Sequence, residues 1–202
     1  MSGSESIDQY LHRLGSTAPT PGAGAVGALH VAQAAALVGM VAGFSERGND
    51  DVAGIVAEAR ELTRAAVEAA ESDEEKFGRV VDCYKLPSGS DEERERRSAG
   101  IDEALVEATL PARAQLDLAA AVVRLCEELV DVCKPDFLSD LAVAAEAARA
   151  AAATARIVVE ANLTSMEENS IQESLQEHTR KASRVVQSAE ELSARVRGRI
   201  IR

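Results

Sequence analysis

Aromatic side chains are nearly missing from this sequence: two Tyr, three Phe and no Trp in 202 residues, only 2% of the chain. A core without rings must be filled by Ala, Leu, Val and Ile, and alanine dominates the apolar count. Alanine favours helix and fits strands poorly, which sets aside sandwiches, barrels and Rossmann sheets. The stacking platforms of single-strand nucleic-acid readers are lost as well. Cysteine is scarce and unpatterned. Cys83, Cys126 and Cys133 form no CxxC and no Cys/His cluster, so neither a disulfide framework nor a metal site is expected. An odd cysteine count points to a reducing compartment, and no basic segment followed by an apolar one opens the chain, so a cytoplasmic location is expected. Positive charge is also in deficit: 22 Lys and Arg against 34 Asp and Glu, a net charge of −12. Such a chain repels phosphate backbones and anionic lipid, arguing against nucleic-acid and membrane partners. Walker loops, GxSxG and HExxH are absent.

What is present is helical periodicity. A short helix near 4–14 places Ile7, Tyr10, Leu11 and Leu14 on one face, and Gly15 to Pro21 interrupts it. Pro21 to Phe44 then runs for 24 residues without a charge. It is mostly Ala and Gly, broken by His30 and Gln33, and lacks the Leu/Ile/Phe density of a membrane span. The pattern predicts a central soluble helix buried on all sides. After a break at Glu46 to Asp50, a helix is expected from Asp50 to Tyr84, then a turn containing Pro87 and Gly89. A long helix from Asp91 to Cys133 should kink at Pro111, which removes a backbone donor. Lys134-Pro135-Asp136 stops it, and a further helix begins near Asp136 or Ser139 and runs to Leu163.

The last helix, about 167–197, carries Ile171, Leu175, His178, Ala182, Val185 and Ala189 at alternating four and three spacings, continued by Leu192 and Val196. That is a heptad seam, suited to a partner helix within the chain or in a second subunit. From His178 onward there are seven basic residues against two acids. This basic end can dock on a second subunit or complement a helix C-terminus. The expected architecture is one domain over residues 1–202, an all-α antiparallel bundle of five to six helices.

The remaining signal is positional. Pro19-Thr20-Pro21-Gly22-Ala23-Gly24-Ala25 leads directly into the most apolar helix, where free amides attract anions and glycines let a ligand reach the backbone. Six features follow in order: this segment, Met40-Val41-Ala42-Gly43, Asp73 four residues before Phe77 with Lys85-Leu86-Pro87, Glu107-Ala108-Thr109 with Pro111, Ser139-Asp140, and Asn162-Leu163. Together they resemble the cyclodeaminase/cyclohydrolase family of folate one-carbon enzymes, from about Ser4 to Leu163 and then the terminal helix.

The resemblance implies a homodimeric helical bundle whose substrate is a tetrahydrofolate derivative, with no tightly bound cofactor and no metal. It implies one of two reactions: closure of 5-formimino-tetrahydrofolate to the 5,10-methenyl compound with loss of ammonia, or hydrolysis of the methenyl bridge to 10-formyl-tetrahydrofolate. Both pass through a tetrahedral adduct and move protons, work suited to a carboxylate of raised pKa. Asp73 and Asp140 are the candidate acids. Ser139 and Asn162 would bond the pterin, and Lys85 with the amides near Gly22 and Gly24 would hold glutamate carboxylates. A pterin also wants a ring to stack on, and the nearby rings are Phe44, Phe77, Tyr84 and Phe137.

The chain departs from the family pattern in four places. Gly22-Ala23-Gly24-Ala25 stands for Gly-Gly-Gly-Ser, and Ser45 to Asp50 replaces a run of lysines. Val158 replaces an Asn, and His30 replaces a small residue. His30 is therefore a third candidate acid/base, since imidazole titrates near neutrality. These departures open one alternative, a diverged member acting on a non-folate substrate as a cyclase or deaminase; the heptad seam and basic C-terminus open another, a non-catalytic helical adaptor that binds a further protein. Helix capping by Ser139 or Asp140 competes with their assignment to a site.

Overall fold

The computed structural model describes residues 5–45, 50–164 and 169–201 and contains no strand among them. Seven α-helices follow in order: α1 (Ile7–Leu14), α2 (Ala23–Ser45), α3 (Asp50–Tyr84), α4 (Asp91–Glu107), α5 (Thr109–Leu129), α6 (Leu138–Leu163) and α7 (Asn169–Ile200). A single 3-10 turn, Pro135–Phe137, leads into α6. The all-α bundle is as expected. The break after α2 and the position of the missing lysines lie outside the described residues.

Pro111 acts differently from the expected kink. The chain divides at Ala108, so Pro111 falls in the first turn of α5, where its missing N–H would have had no intrahelical partner. Counting α4 and α5 as one interrupted helix returns six. The second helix also ends earlier than the pattern predicts, at Leu129, leaving Cys133 in the turn beyond it. Cys126 and Cys133 are nevertheless both buried and unbonded to one another.

Two sequence expectations need correction. In α1 only Tyr10 is buried, while Ile7 and Leu11 are exposed. The helix is eight residues long and is held by Arg13, which pairs with Glu5 at 2.7 Å and Glu74 at 2.9 Å, so one side chain suffices to seat it. α2 is not enclosed on all sides either. It packs against α3, α5 and α6, but Gln33, Ala36, Met40 and Phe44 face outward. By length and composition α2 is apolar enough to cross a membrane, and 56% of its most apolar window is buried against its neighbours.

The core is built as the composition demands. Val31, Val38 and Val41 of α2, Leu116 and Leu125 of α5, and Ala144 of α6 belong to one cluster. Small residues let the helix backbones close on each other, replacing ring volume with proximity. α6 touches α2, α5 and α7, and so forms the axle of the bundle.

Candidate active site

At the N-terminus of α2 the chain emerges from Pro19-Thr20-Pro21-Gly22, and Pro21 is buried. α2 has no capping side chain of its own here, because Gly22 and Ala23 offer none. The cap arrives from another helix: Asp73 of α3 accepts the Ala25 backbone N–H on Oδ2 at 3.0 Å. One orphan amide of the helix start is thereby satisfied, and a carboxylate sits at the positive end of the helix dipole.

Asp73 is only 8% exposed. Burial pushes its carboxyl up to about 6, with the negative charge of Glu74 adding to the rise and the Ala25 amide opposing it. Desolvation thus outweighs the helix-dipole and hydrogen-bond stabilisation of the anion.

The close approach of α3 to α2 depends on Gly24. A β-carbon there would stand 1.9 Å from Oδ1 of Asp73. Gly27, one turn on, serves the same purpose for Gln115, whose Nε2 would lie 2.2 Å from an added β-carbon. Gln115 is buried and donates from Nε2 to the Ala151 carbonyl at 2.7 Å, joining α5 to α6 beneath α2. Sequence reasoning missed Gln115. Its signal was a polar residue in register with the buried stripe of Ala112, Leu116 and Ala119.

Asp73 opens on a cavity of about 220 Å³ whose lining includes Pro19, Gly22, Gly24, Phe77, Val158 and Asn162. Five of the nine expected site residues meet here: Gly22, Gly24, Asp73, Phe77 and Asn162. Phe77 supplies an apolar ring wall, so the aromatic shortage does not leave the cavity ringless. Asn162, 8% exposed at the end of α6, adds an amide. Ile157 and Ala161, both exposed, complete the lining from α6. The cavity falls below the ~300–1,000 Å³ usual for small-molecule sites, so one copy of the chain encloses only part of a ligand of folate size.

The other four candidates stand elsewhere. Ser139 and Asp140 lie in the first turn of α6, at the end opposite Asn162 and ~34 Å away along the helix. Neither makes a side-chain cap bond there, although Asp140 lies where an acid complements the helix dipole. Lys85 is exposed just beyond α3 and bonds Asp82 at 2.8 Å, ~18 Å along the axis from Asp73. His30 is half-buried on α2, its Nδ1 buried without a hydrogen-bond partner, and it does not line the cavity. Ser139, Asp140 and Lys85 stand apart for one reason: sequence order along a helix does not bring its two ends together.

A larger groove of about 670 Å³ runs between α2 and α3, lined by Gly39, Met40, Phe44, Val56, Arg60 and Thr63 among others. It holds one ionisable group, Arg60, and no acid–base pair. Among the described residues no cluster of His, Cys, Asp and Glu suits a metal ion.

Comparison with known proteins bears on the family and the fold. A family model described as formiminotransferase-cyclodeaminase matches residues 6–181. A methenyltetrahydrofolate cyclohydrolase from Methylorubrum extorquens is 31% identical over 186 residues, covering 86% of each chain. The crystal structure of formiminotetrahydrofolate cyclodeaminase from Thermotoga maritima superposes with a TM-score of 0.79, over 96% of this chain and 98% of that one. At 24% identity that likeness establishes the shared fold.

Proposed function

This chain belongs to the formiminotransferase-cyclodeaminase family, and from that membership and its cavity we propose that it is a cytoplasmic folate enzyme with Asp73 as its proton carrier. It interconverts one-carbon tetrahydrofolates. The relative 31% identical to it is named a methenyltetrahydrofolate cyclohydrolase, which favours hydrolysis of the 5,10-methenyl compound as its reaction.

The observation that carries this reading is a buried carboxyl of raised pKa on a glycine-lined cavity with one aromatic wall. In hydrolysis, water adds to the methenyl carbon and the carbon–N5 bond of the adduct breaks. The formyl group stays on N10, N5 gains a proton, and one proton leaves to solvent. A carboxylate near neutrality can take the water proton and return it to N5. In deamination the same group would carry a proton from N10 to the departing ammonia. Phe77 offers a face for the pterin, and Asn162 a neutral donor and acceptor for its amide edge.

The test follows methenyl absorbance with 5,10-methenyl- and 5-formimino-tetrahydrofolate supplied separately. Wild type should turn over the methenyl substrate, and Asp73→Asn should lose at least ~100-fold in kcat, the usual worth of a positioned acid–base group. With Asp73 acting as base, kcat/KM of the wild type should fall as pH drops below about 6. Turnover of neither substrate by wild type would sink the folate reading. An unimpaired Asp73→Asn would sink the assignment of the proton carrier.

A further inference from the structure

α5 and α7 run in the same direction, since their side-chain contacts rise together: Arg113 with Ser174, Asp117 with Lys181, and Asp131 with Arg199. The first two contacts are bridges one turn apart on α5. Arg113 donates from Nη2 to Ser174 Oγ at 2.7 Å, and Lys181 pairs with Asp117. Beside these bridges lies a cleft of about 240 Å³, lined among the described residues by Leu116 and six polar or charged side chains. None of them belongs to the Asp73 cavity.

The bridges leave hydrogen-bonding groups open. Lys181 and Asp117 neutralise each other. Arg113 directs Nε to Thr109 Oγ1 at 3.3 Å and Nη2 to Ser174, both neutral hydroxyls, and forms no ion pair among the described residues. A guanidinium has five N–H donors in a planar fork, so Nη1 and one N–H of Nη2 await an acceptor. Ser174 accepts from Arg113 and keeps its own proton to donate. Glu177 also lines the cleft, exposed and without an ion pair among the described residues. The cleft therefore holds one cation and one anion that do not satisfy each other.

His178 adds a further open position. It is only 5% exposed, and its Nε2 lies 3.3 Å from the Ala155 carbonyl. A carbonyl only accepts, so Nε2 carries the proton, and burial lowers the pKa of the ring and keeps it neutral. Nδ1 is then an acceptor, to which no described residue donates. A buried polar atom left so is costly unless something outside the chain pairs with it.

The open groups fall into two sets. Arg113 and Ser174 offer donors; Glu177 and His178 Nδ1 offer acceptors. A lone anion would suit the first set and be repelled by Glu177, and a lone cation would suit the second and be repelled by Arg113. A molecule that carries a carboxylate and an ammonium side by side suits both.

We propose that this cleft binds a small free α-amino acid as its zwitterion, the carboxylate on Arg113 and Ser174 and the ammonium on Glu177 and His178 Nδ1. The volume is that of ~8 water molecules, which limits the ligand to about that many heavy atoms and so to a short side chain. Leu116 supplies an apolar contact for a methyl or methylene group.

Glycine, L-alanine and L-serine are the probes, in calorimetric titrations and in melting-temperature series, because a ligand that binds only the folded chain raises the melting point as it saturates. At least one of the three should bind saturably. Its amide and its N-acetyl derivative, each lacking one charge, should bind at least ~10-fold more weakly, the worth of one charge-assisted hydrogen bond. Arg113→Gln and Glu177→Gln should each weaken the amino acid by a similar factor. Glu177 is exposed, so its variant keeps the fold even if Arg113→Gln does not. Asp73→Asn should bind as wild type does.

No saturable binding of any of the three would overturn the proposal, as would equal binding of the amide and N-acetyl derivatives or unchanged binding by Glu177→Gln. Saturable binding of inorganic phosphate in place of the amino acids would overturn it too, by making the cleft an anion site. Binding of p-aminobenzoyl-glutamate alone would assign the cleft to the tail of a folate and equally overturn it. Binding is read without turnover, so this site and the folate reading stand or fall separately.

Discussion

At Gly24 one methyl group separates a working site from a displaced one. An added β-carbon would stand 1.9 Å from Oδ1 of Asp73, whereas Gly22, two residues earlier, has nothing within 4 Å of its own. Gly24→Ala should therefore cost ~1–3 kcal/mol in urea unfolding and most of the activity, through the overpacking that moves Asp73. Gly22→Ala should leave stability close to wild type. Equal effects would mean that the approach of α3 to α2 does not position Asp73. The burial of Asp73 has a second consequence. Its folded pKa, about 6, lies above the ordinary carboxylate value, so folding is favoured while the group is protonated and loses stability as pH rises toward about 6. A rise of ~2 pKa units corresponds to about 3 kcal/mol. Asp73→Asn keeps an acceptor for Ala25 and carries no charge. Its melting temperature should gain on wild type between about pH 4 and 6 and hold that gain above. A difference independent of pH would show that desolvation does not govern this carboxyl. Gly22, Gly24, Asp73, Phe77 and Asn162 were all readable from the sequence as candidates, because each stands in an ordered motif. That they meet, and that His30 and Lys85 do not join them, was not readable, because a residue's distance from a cavity depends on the crossing of helices rather than on spacing along them.

Among the elements, α7 shows how a correct pattern can leave its partner undetermined. Its seam of His178, Ala182, Val185, Ala189, Leu192 and Val196 is buried at each of these positions, and it packs on α6 within the same chain. The basic end is used internally as well. Lys181 pairs with Asp117 of α5, and Arg199 donates to the Val130 carbonyl just past the end of α5 and to Asp131 at 2.9 Å. A cation at that point satisfies a free carbonyl and complements the helix dipole. His178 lies 5% exposed in the seam with Nε2 3.3 Å from the Ala155 carbonyl, and burial lowers its pKa. A histidine held neutral stabilises the fold above its ordinary pKa of ~6.5, and that contribution is lost as pH falls below it. His178→Leu should flatten the decline in melting temperature between pH 6.5 and 5. An unchanged slope would place the acid sensitivity elsewhere. α2 illustrates the opposite case. Its freedom from charge was legible, but the burial that follows from it is incomplete in one copy, because three neighbouring helices cannot enclose a fourth.

For the whole molecule, α6 joins α2, α5 and α7 through one large cluster, while α3 and α4 share a small one of Val80, Ala104 and Ala108. Residues 1–202 should unfold as one domain, in a single calorimetric transition whose van't Hoff and calorimetric enthalpies agree. Two resolved transitions would mean that α7, or α4 with the turn before it, melts separately. The all-helical bundle and the order of its elements followed from composition and periodicity alone. A chain so rich in alanine and so poor in rings has few other ways to bury its surface, and local hydrogen bonding suffices to make its helices. Breaks at glycine and proline were equally local, although Pro111 settled into a first turn instead of bending a helix. Only the tertiary structure decided that the carboxylate of α3 caps α2, that the heptad seam closes on its own chain, and that the two expected acids lie at opposite ends of the bundle. Those outcomes depend on which helix faces which, and the periodicity of a single helix carries no record of its neighbours.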